Sequence, residues 1–326
     1  MDKRDLWKRT KGAQNKFKLI LDFALYDKAQ IFANESSKER GRFPDNDAGM
    51  KKPPLSAIFR NFRSVRFTLA SIVKSYRLTK KFRTRSEDKE INELQFNKIY
   101  EKLKSLGMDQ IGYVRLGERD IFTHLGEPLG IPYEHLLIFT DEQDKARILT
   151  SPSVESQMAV MDTYGSTGNA SNEISMLLDD MGFGAMPSHS LGGVIDYTRL
   201  AMEANLGYPG RHGCLIEPIS GANNRIGAVF TNISNLGGFL HNTQDFTWIA
   251  DFCRKCGKCV RACPAGAIFT ESKTDENGFV TSMDYNKCNM EFGTKYGCNY
   301  CIAICPFTVQ GYEKIKNAFM RDTTAH

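Results

Sequence analysis

The spacing of apolar residues predicts a chain that mixes helices with short strands and repeats no unit. Between residues 51 and 85, Leu55, Ile58, Phe59, Phe62, Val65, Leu69, Ile72, Val73 and Tyr76 recur at helical intervals. Arg60, Arg63 and Lys74 fall to the opposite flank, which predicts a basic amphipathic helix. Residues 90–106 carry a second helical pattern that stops at Gly107, and 172–181 a third closed by Gly182. A fourth, 198–204, runs into the turn Leu206-Gly207-Tyr208-Pro209-Gly210. Short apolar runs at 111–114, 136–139 and 226–231 predict strands. Residues 1–50, broken by Gly41, Pro44 and Gly49, predict short helices and coil. This mixture fits an α+β or α/β body.

A length of 326 residues suits two compact domains, or one with a substantial insert. Hydrophobic residues at 41 % and charged residues at 25 % are ordinary for a globular protein. The net charge of +5 conceals a division. Residues 1–90 hold 23 Lys/Arg against 11 Asp/Glu, and the remainder 20 against 27. The stretch 51–85 contains eleven Lys/Arg and no acid. The commoner arrangement for such a helix is packing on the body with a solvated basic face. The alternative is peripheral contact with an anionic membrane surface or an acidic redox partner. No nucleic-acid-binding motif accompanies the charge, so nucleic acid is not expected as a partner.

No apolar run approaches the roughly 20 residues needed to span a bilayer. The opening Met1-Asp2-Lys3-Arg4-Asp5-Leu6-Trp7 has neither the hydrophobic segment of a secretory signal nor a twin-arginine pair. The expected compartment is the cytoplasm, with membrane association through 51–85, and export only for a chain whose leader has been removed.

Eight of the nine cysteines lie between 253 and 305, a concentration that points to metal chemistry rather than disulfides. The first group is Cys253-x2-Cys256-x2-Cys259-x3-Cys263-Pro264, and the second Cys298-x2-Cys301-x3-Cys305-Pro306, with Cys288 ten positions upstream. Two-residue gaps let three successive thiolates converge on one iron–sulfur cubane, while the fourth cysteine of each run serves the other cluster. One [4Fe–4S] cluster is therefore expected on Cys253, Cys256, Cys259 and Cys305, and another on Cys263, Cys288, Cys298 and Cys301. Proline after the last cysteine of each run should stop the local helix. Zinc ribbons also use paired Cys-x2-Cys units, but not the third cysteine or the trailing Cys-Pro. Cys214, beside an apolar run, is expected to be a buried inert thiol.

Leu206-Gly207-Tyr208-Pro209-Gly210-Arg211-His212-Gly213-Cys214-Leu215-Ile216, then Arg225, then Phe230-Thr231-Asn232, precede the cysteine groups in an order that resembles corrinoid-dependent reductive dehalogenases. Leu106-Gly107-Met108-Asp109-Gln110-Ile111-Gly112 and Met181-Gly182-Phe183-Gly184-Ala185-Met186-Pro187 resemble segments of the same family, and epoxyqueuosine reductases share the glycine turn and the clusters. The likeness covers roughly residues 100–310. It implies an α+β fold: a nitroreductase-like, corrinoid-binding body joined to a ferredoxin-like module with two [4Fe–4S] clusters. The implied division is a basic region 1–90, a cobalamin-binding domain 91–250 and an iron–sulfur domain 251–326.

By the same resemblance, Tyr164 takes the place of a tyrosine proton donor and Arg225 that of its cationic partner, which would stabilise the phenolate. His189 and Ser190 fall in the stretch that lines the substrate pocket. Leu206, Gly207, Tyr208, Gly210, Arg211 and Gly213 fall where the cofactor is bound. The corrinoid would be base-off, since Asp120-Ile121-Phe122-Thr123-His124-Leu125-Gly126 only approaches the Asp-x-His-x-x-Gly signature of histidine-ligated corrinoids. No fused reductase module follows Cys305, so a separate ferredoxin- or flavodoxin-type donor is expected, with a small organic substrate. The competing readings are an iron–sulfur electron-transfer protein and an epoxyqueuosine reductase. Against the latter, Ser188-His189-Ser190-Leu191 stands where that family presents an acidic site.

Overall fold

The computed structural model describes residues 54–81, 87–117, 120, 133–189, 195–240, 242–274 and 280–324. The helices and coil expected over 1–50, residues 121–126 and Ser190 lie outside these. Chain order begins with helices α1 (Leu55–Arg60), α2 (Phe62–Lys81) and α3 (Glu93–Ser105). Strands β1 (Ile111–Arg115) and β2 (His135–Glu142) follow, then α4 (Lys145–Ile148) and the 27-residue α5 (Val154–Asp180). Next come β3 (Ala185–Ser188), α6 (Tyr197–Glu203), the short β4 (Tyr208–Pro209) and β5 (Leu215–Ile216), and β6 (Asn224–Thr231).

The main sheet has the order β1-β2-β6-β3 and every pair in it is antiparallel. That makes the body α+β, as expected. Successive side chains of a strand point to opposite faces, and β2 and β6 are apolar on both. Leu136, Ile138, Ala228 and Phe230 join Leu200 and Ala201 of α6 in one core. Leu137, Phe139 and Val229 meet Phe96, Ile99 and Leu103 of α3 and Ala170, Ile174 and Leu178 of α5 in the other.

Helix α5 starts eighteen residues before the expected 172, capped by the Ser153 hydroxyl accepting from Ser156 N–H. Its first half has few large apolar residues, so helical periodicity is invisible there. The buried face carries Thr163, Thr167, Gly168, Ser171 and Ser175 instead. Each of these four hydroxyls donates to the carbonyl one turn back, at 2.8 to 3.0 Å, which lets polar side chains lie in a dry interface.

Helix α2 packs on this slender face. Thr68 Oγ1 donates to Met161 O (3.0 Å), Ser75 Oγ to Asn172 Oδ1 (2.7 Å), and Asn172 Nδ2 to Ser71 O (2.8 Å). The amphipathic expectation is thus corrected in one respect. The packed stripe of α2 is Thr68, Ser71, Ile72, Ser75 and Leu78, while Phe62, Leu69 and Val73 face outward. Lys74 and Lys81 pair with Glu173 (2.7 Å) and Asp179 (2.8 Å) of α5 along the flank.

The remaining chain forms a helical module: α7 (Trp248–Cys256), α8 (Lys258–Ala262), a hairpin of β7 (Ile268–Thr274) and β8 (Val280–Met283), α9 (Tyr285–Thr294), α10 (Tyr300–Ala303), α11 (Pro306–Gln310) and α12 (Tyr312–Thr324). It shares a core with the body, where Trp248, Phe307, Tyr312 and Ile315 pack with Ile148, Ala159 and Ile216. Pro264 follows the end of α8 as expected, whereas Pro306 opens α11. Cys263 and Cys305 before them are both extended, the conformation a following proline imposes.

Gly221 sits at this seam with φ +64°, its Cα facing the Phe307 backbone. An alanine there would combine left-handed strain with a backbone collision, so Gly221→Ala should lower unfolding free energy by at least about 2 kcal/mol, measured by denaturant titration.

Candidate redox and proton-transfer site

All eight clustered cysteines are free, and most are half-buried. Burial pushes Cys305 up to about 12, and the thiols that raise it further are Cys253 and Cys259. Burial pushes Cys259 up to about 11, with Cys253 and Cys256 adding to the rise. Cys288 likewise rises to about 11 by burial and then by Cys263 and Cys298. Cys301 is raised chiefly by burial, then by Cys214 and Cys259, with Cys288 and Cys298 adding less. The eight thiols therefore lie near one another, with Cys301 next to members of both expected sets. Bound iron would remove the cost of such proximity by holding them as thiolates.

The glycine turn ties body to module. Strands β4 and β5 form its hairpin, closed by Gly210 N–H donating to Cys214 O (2.9 Å). Gly207 lies against the Ile216 carbonyl, which leaves no room for a side chain, and Gly210 packs on Ile216 Cδ1 and the His212 imidazole. Gly213, at φ +78°, meets Ser282 and Met283 of β8. Arg211 donates to Ser272 Oγ of β7 (3.3 Å), and its backbone N–H reaches the Cys253 thiol. Leu206 is buried in the body's core, and Tyr208 borders the module's. His212 is buried, which lowers it to about 4. Its Nδ1 accepts from Cys214 N–H (3.2 Å), which leaves the proton on an Nε2 with no partner.

Cys214 is a buried thiol, raised by burial and lowered by Arg225. It packs against the same core as Cys301 and Cys253.

Arg225, the second residue of β6, lies directly opposite Asp141 of β2. Both share the parity of Phe139 and Val229, hence the face covered by α5. The Arg225 guanidinium lies 5.3 Å from the centroid of the Tyr164 ring. One nitrogen donates to Asn224 O (3.0 Å), while its buried Nε has no partner. Tyr164 is half-buried in the middle of α5. Tyr197, from α6, lies close enough for Tyr164 to influence it. Burial raises its phenol, whose oxygen is 2.7 Å from Ser188 Oγ. Asp141 is driven up to about 7 by burial, opposed by a hydrogen bond from Ser166.

The structure thus brings Tyr164 and Arg225 together and adds Tyr197, Ser188 and Asp141, which the sequence reading missed. Only the β2–β6 register could have revealed Asp141. His189 departs from the solvent-facing loop position common for such a residue. It is buried beside Gly168, with Nε2 3.1 Å from Ser71 Oγ, and burial lowers it to about 4. It is neutral near pH 7 and unsuited to donate a proton as an imidazolium.

Comparison with known proteins accords with this arrangement. A family profile describing a 4Fe-4S dicluster domain matches residues 252–309. A tetrachloroethene reductive dehalogenase of Desulfitobacterium hafniense is 30 % identical over 190 residues, covering 54 % of this chain and 33 % of the relative. One from Sulfurospirillum multivorans is 36 % identical over 137 residues, covering 39 % and 26 %. Over part of its length the chain is similar to reductive dehalogenases. It spans about a third of the length of the curated relatives it matches. An epoxyqueuosine reductase of Francisella cf. novicida is 30 % identical over 116 residues, covering 33 % of this chain and 31 % of the relative. In fold, a solved reductive dehalogenase titled for its B12-dependent dehalogenation superposes with a TM-score of 0.66 at 18 % identity, covering 90 % of this chain and 45 % of that one.

Two outcomes follow for the thiols and for His189. Cys256→Ser should remove about half of the bound iron and one cluster's paramagnetic signal, while Cys214→Ser leaves both, as read by iron analysis and electron paramagnetic resonance. The folded state of His189 prefers the neutral ring, with about 4 in place of the ordinary 6.5. Its contribution to stability is therefore complete above pH 6.5 and lost, by roughly 3 kcal/mol, as pH falls toward 4. Denaturant titrations across that range should show the loss reduced in His189→Gln.

Proposed function

We propose that this chain is a corrinoid-dependent reductase of the reductive dehalogenase type, supplied with electrons through two [4Fe–4S] clusters. The observation that carries the reading is the Arg225 guanidinium over the Tyr164 ring, near Cys214, which packs against the same core as Cys253 and Cys301. The donor set suits the groups concerned: eight thiols for the clusters, and buried unpartnered N–H donors on Arg225 and His212 for an occupant rich in acceptor oxygens, as the peripheral amides of a corrinoid are. Cys253, Cys256, Cys259 and Cys305 would hold one cluster, and Cys263, Cys288, Cys298 and Cys301 the other. Arg225, His212 and the 206–213 turn would border the corrinoid. When bound, these groups supply low-potential single electrons.

Replacing a carbon–halogen bond by carbon–hydrogen consumes two electrons and one proton and releases halide. Tyr164 would donate that proton from its hydroxyl, and the permanent charge of Arg225 would offset the phenolate left behind. Tyr197, bonded to Ser188, is a second buried phenol near Tyr164. Neutral His189, bonded to Ser71, holds α2 against α5 and transfers no proton. A separate ferredoxin- or flavodoxin-type donor would deliver the electrons, and the substrate is a small organic halide. Ser188-His189 in place of an acidic site disfavours epoxyqueuosine chemistry.

Anaerobic protein reconstituted with iron, sulfide and cobalamin should retain a base-off corrinoid and, with a reduced viologen, dehalogenate a chlorinated ethene or halogenated phenol. Tyr164→Phe should keep iron and corrinoid but lose roughly a hundredfold or more in kcat. Iron-loaded protein that retains no cobalamin would overturn the reading.

A further inference from the structure

The outer face of α2 is apolar where a solvated helix should be polar. Viewed along its axis, Phe62, Arg66, Leu69, Val73 and Arg77 fall on one stripe, opposite the Thr68–Ser71–Ser75 seam that packs on α5. Phe62, Leu69 and Val73 are exposed by 56, 44 and 36 %. The preceding α1 extends the stripe with Leu55 and Phe59, exposed by 72 and 74 %. Scattered exposed apolar residues need no explanation, but a row of them along one face marks a contact surface.

The charges say what kind. Lys74 and Lys81 are neutralised by acids of α5. Among the described residues, Arg63, Arg66 and Arg77 have no acidic partner and are exposed. No acid occurs anywhere in residues 51–85. Guanidinium groups interleaved with phenyl and aliphatic side chains along a helix of about 30 Å match an interface that is anionic at its surface and apolar just beneath. Long cationic side chains reach headgroups while their neighbours enter the acyl boundary. Residues 1–53 hold thirteen Lys/Arg against eight Asp/Glu, a net positive charge that does not complement these arginines. No helix among the described residues is long and apolar enough to cross a membrane.

We propose that α1 and the outer face of α2 form a peripheral docking surface for an anionic lipid bilayer. The helix lies along the membrane plane, and α5 forms the next layer inward. This holds independently of the reaction at Tyr164.

The full chain should float with vesicles containing phosphatidylglycerol and far less with pure phosphatidylcholine, and high salt should release it. Arg66→Glu with Arg77→Glu, and separately Phe62→Ser with Leu69→Ser, should each weaken binding at least roughly tenfold. All four positions are exposed, so iron content and thermal unfolding should match the parent. Binding that both variants retain, or equal binding to neutral vesicles, would overturn the proposal. So would an absence of vesicle binding, including the case where the chain instead self-associates and Phe62→Ser with Leu69→Ser abolishes that association.

Discussion

Close approach to helix α5 is the constraint on which the site depends. A helix faced with leucines would hold its neighbours about 10 Å away. This one presents hydroxyls that bond back to their own helix, and glycines at 165 and 168. Helix α2 can therefore seat Thr68 against Gly165, and His189 can slide over Gly168 to reach Ser71. A polar interface of this sort is tolerable only because each hydroxyl has an acceptor; an unmade hydrogen bond there would cost more than a lost methyl group contributes.

The same helix joins the two halves of the proposed chemistry. Its mid-section carries Tyr164 under the charge of Arg225, and its first turn meets the cysteine module, where Ser156 donates to Asn299 between Cys298 and Tyr300. The glycine turn makes the second connection, with Arg211 toward Cys253 and Cys214 packed against the same core as Cys301. Body and module are not separable bodies joined by a linker. They share Trp248, Phe307, Ile148 and Ile216 in one core.

Much of this was legible in the chain itself. The dicluster character of residues 252–309 is readable from cysteine spacing, because the spacing of such ligands is a local pattern. The strands β1, β2 and β6 announce themselves as apolar runs, and Gly107 and Gly182 end helices with φ +84° and +81° as their positions suggest. The opaque parts are those where packing reverses the usual signal. The first half of α5 hides its helical period because its buried positions are small and polar. Helix α2 shows a strong apolar period, yet tertiary packing turns Phe62, Leu69 and Val73 away from the core. The placement of Asp141 opposite Arg225 across β2 and β6 belongs to register, which no local pattern encodes.

Ser156 and Tyr164 are eight residues apart on an unbroken helix, about 12 Å along its axis. A rod of that length fixes depth: the Ser156–Asn299 hydrogen bond anchors one end to the cysteine module, and the unbroken helix then sets how far from that anchor the phenol of Tyr164 stands.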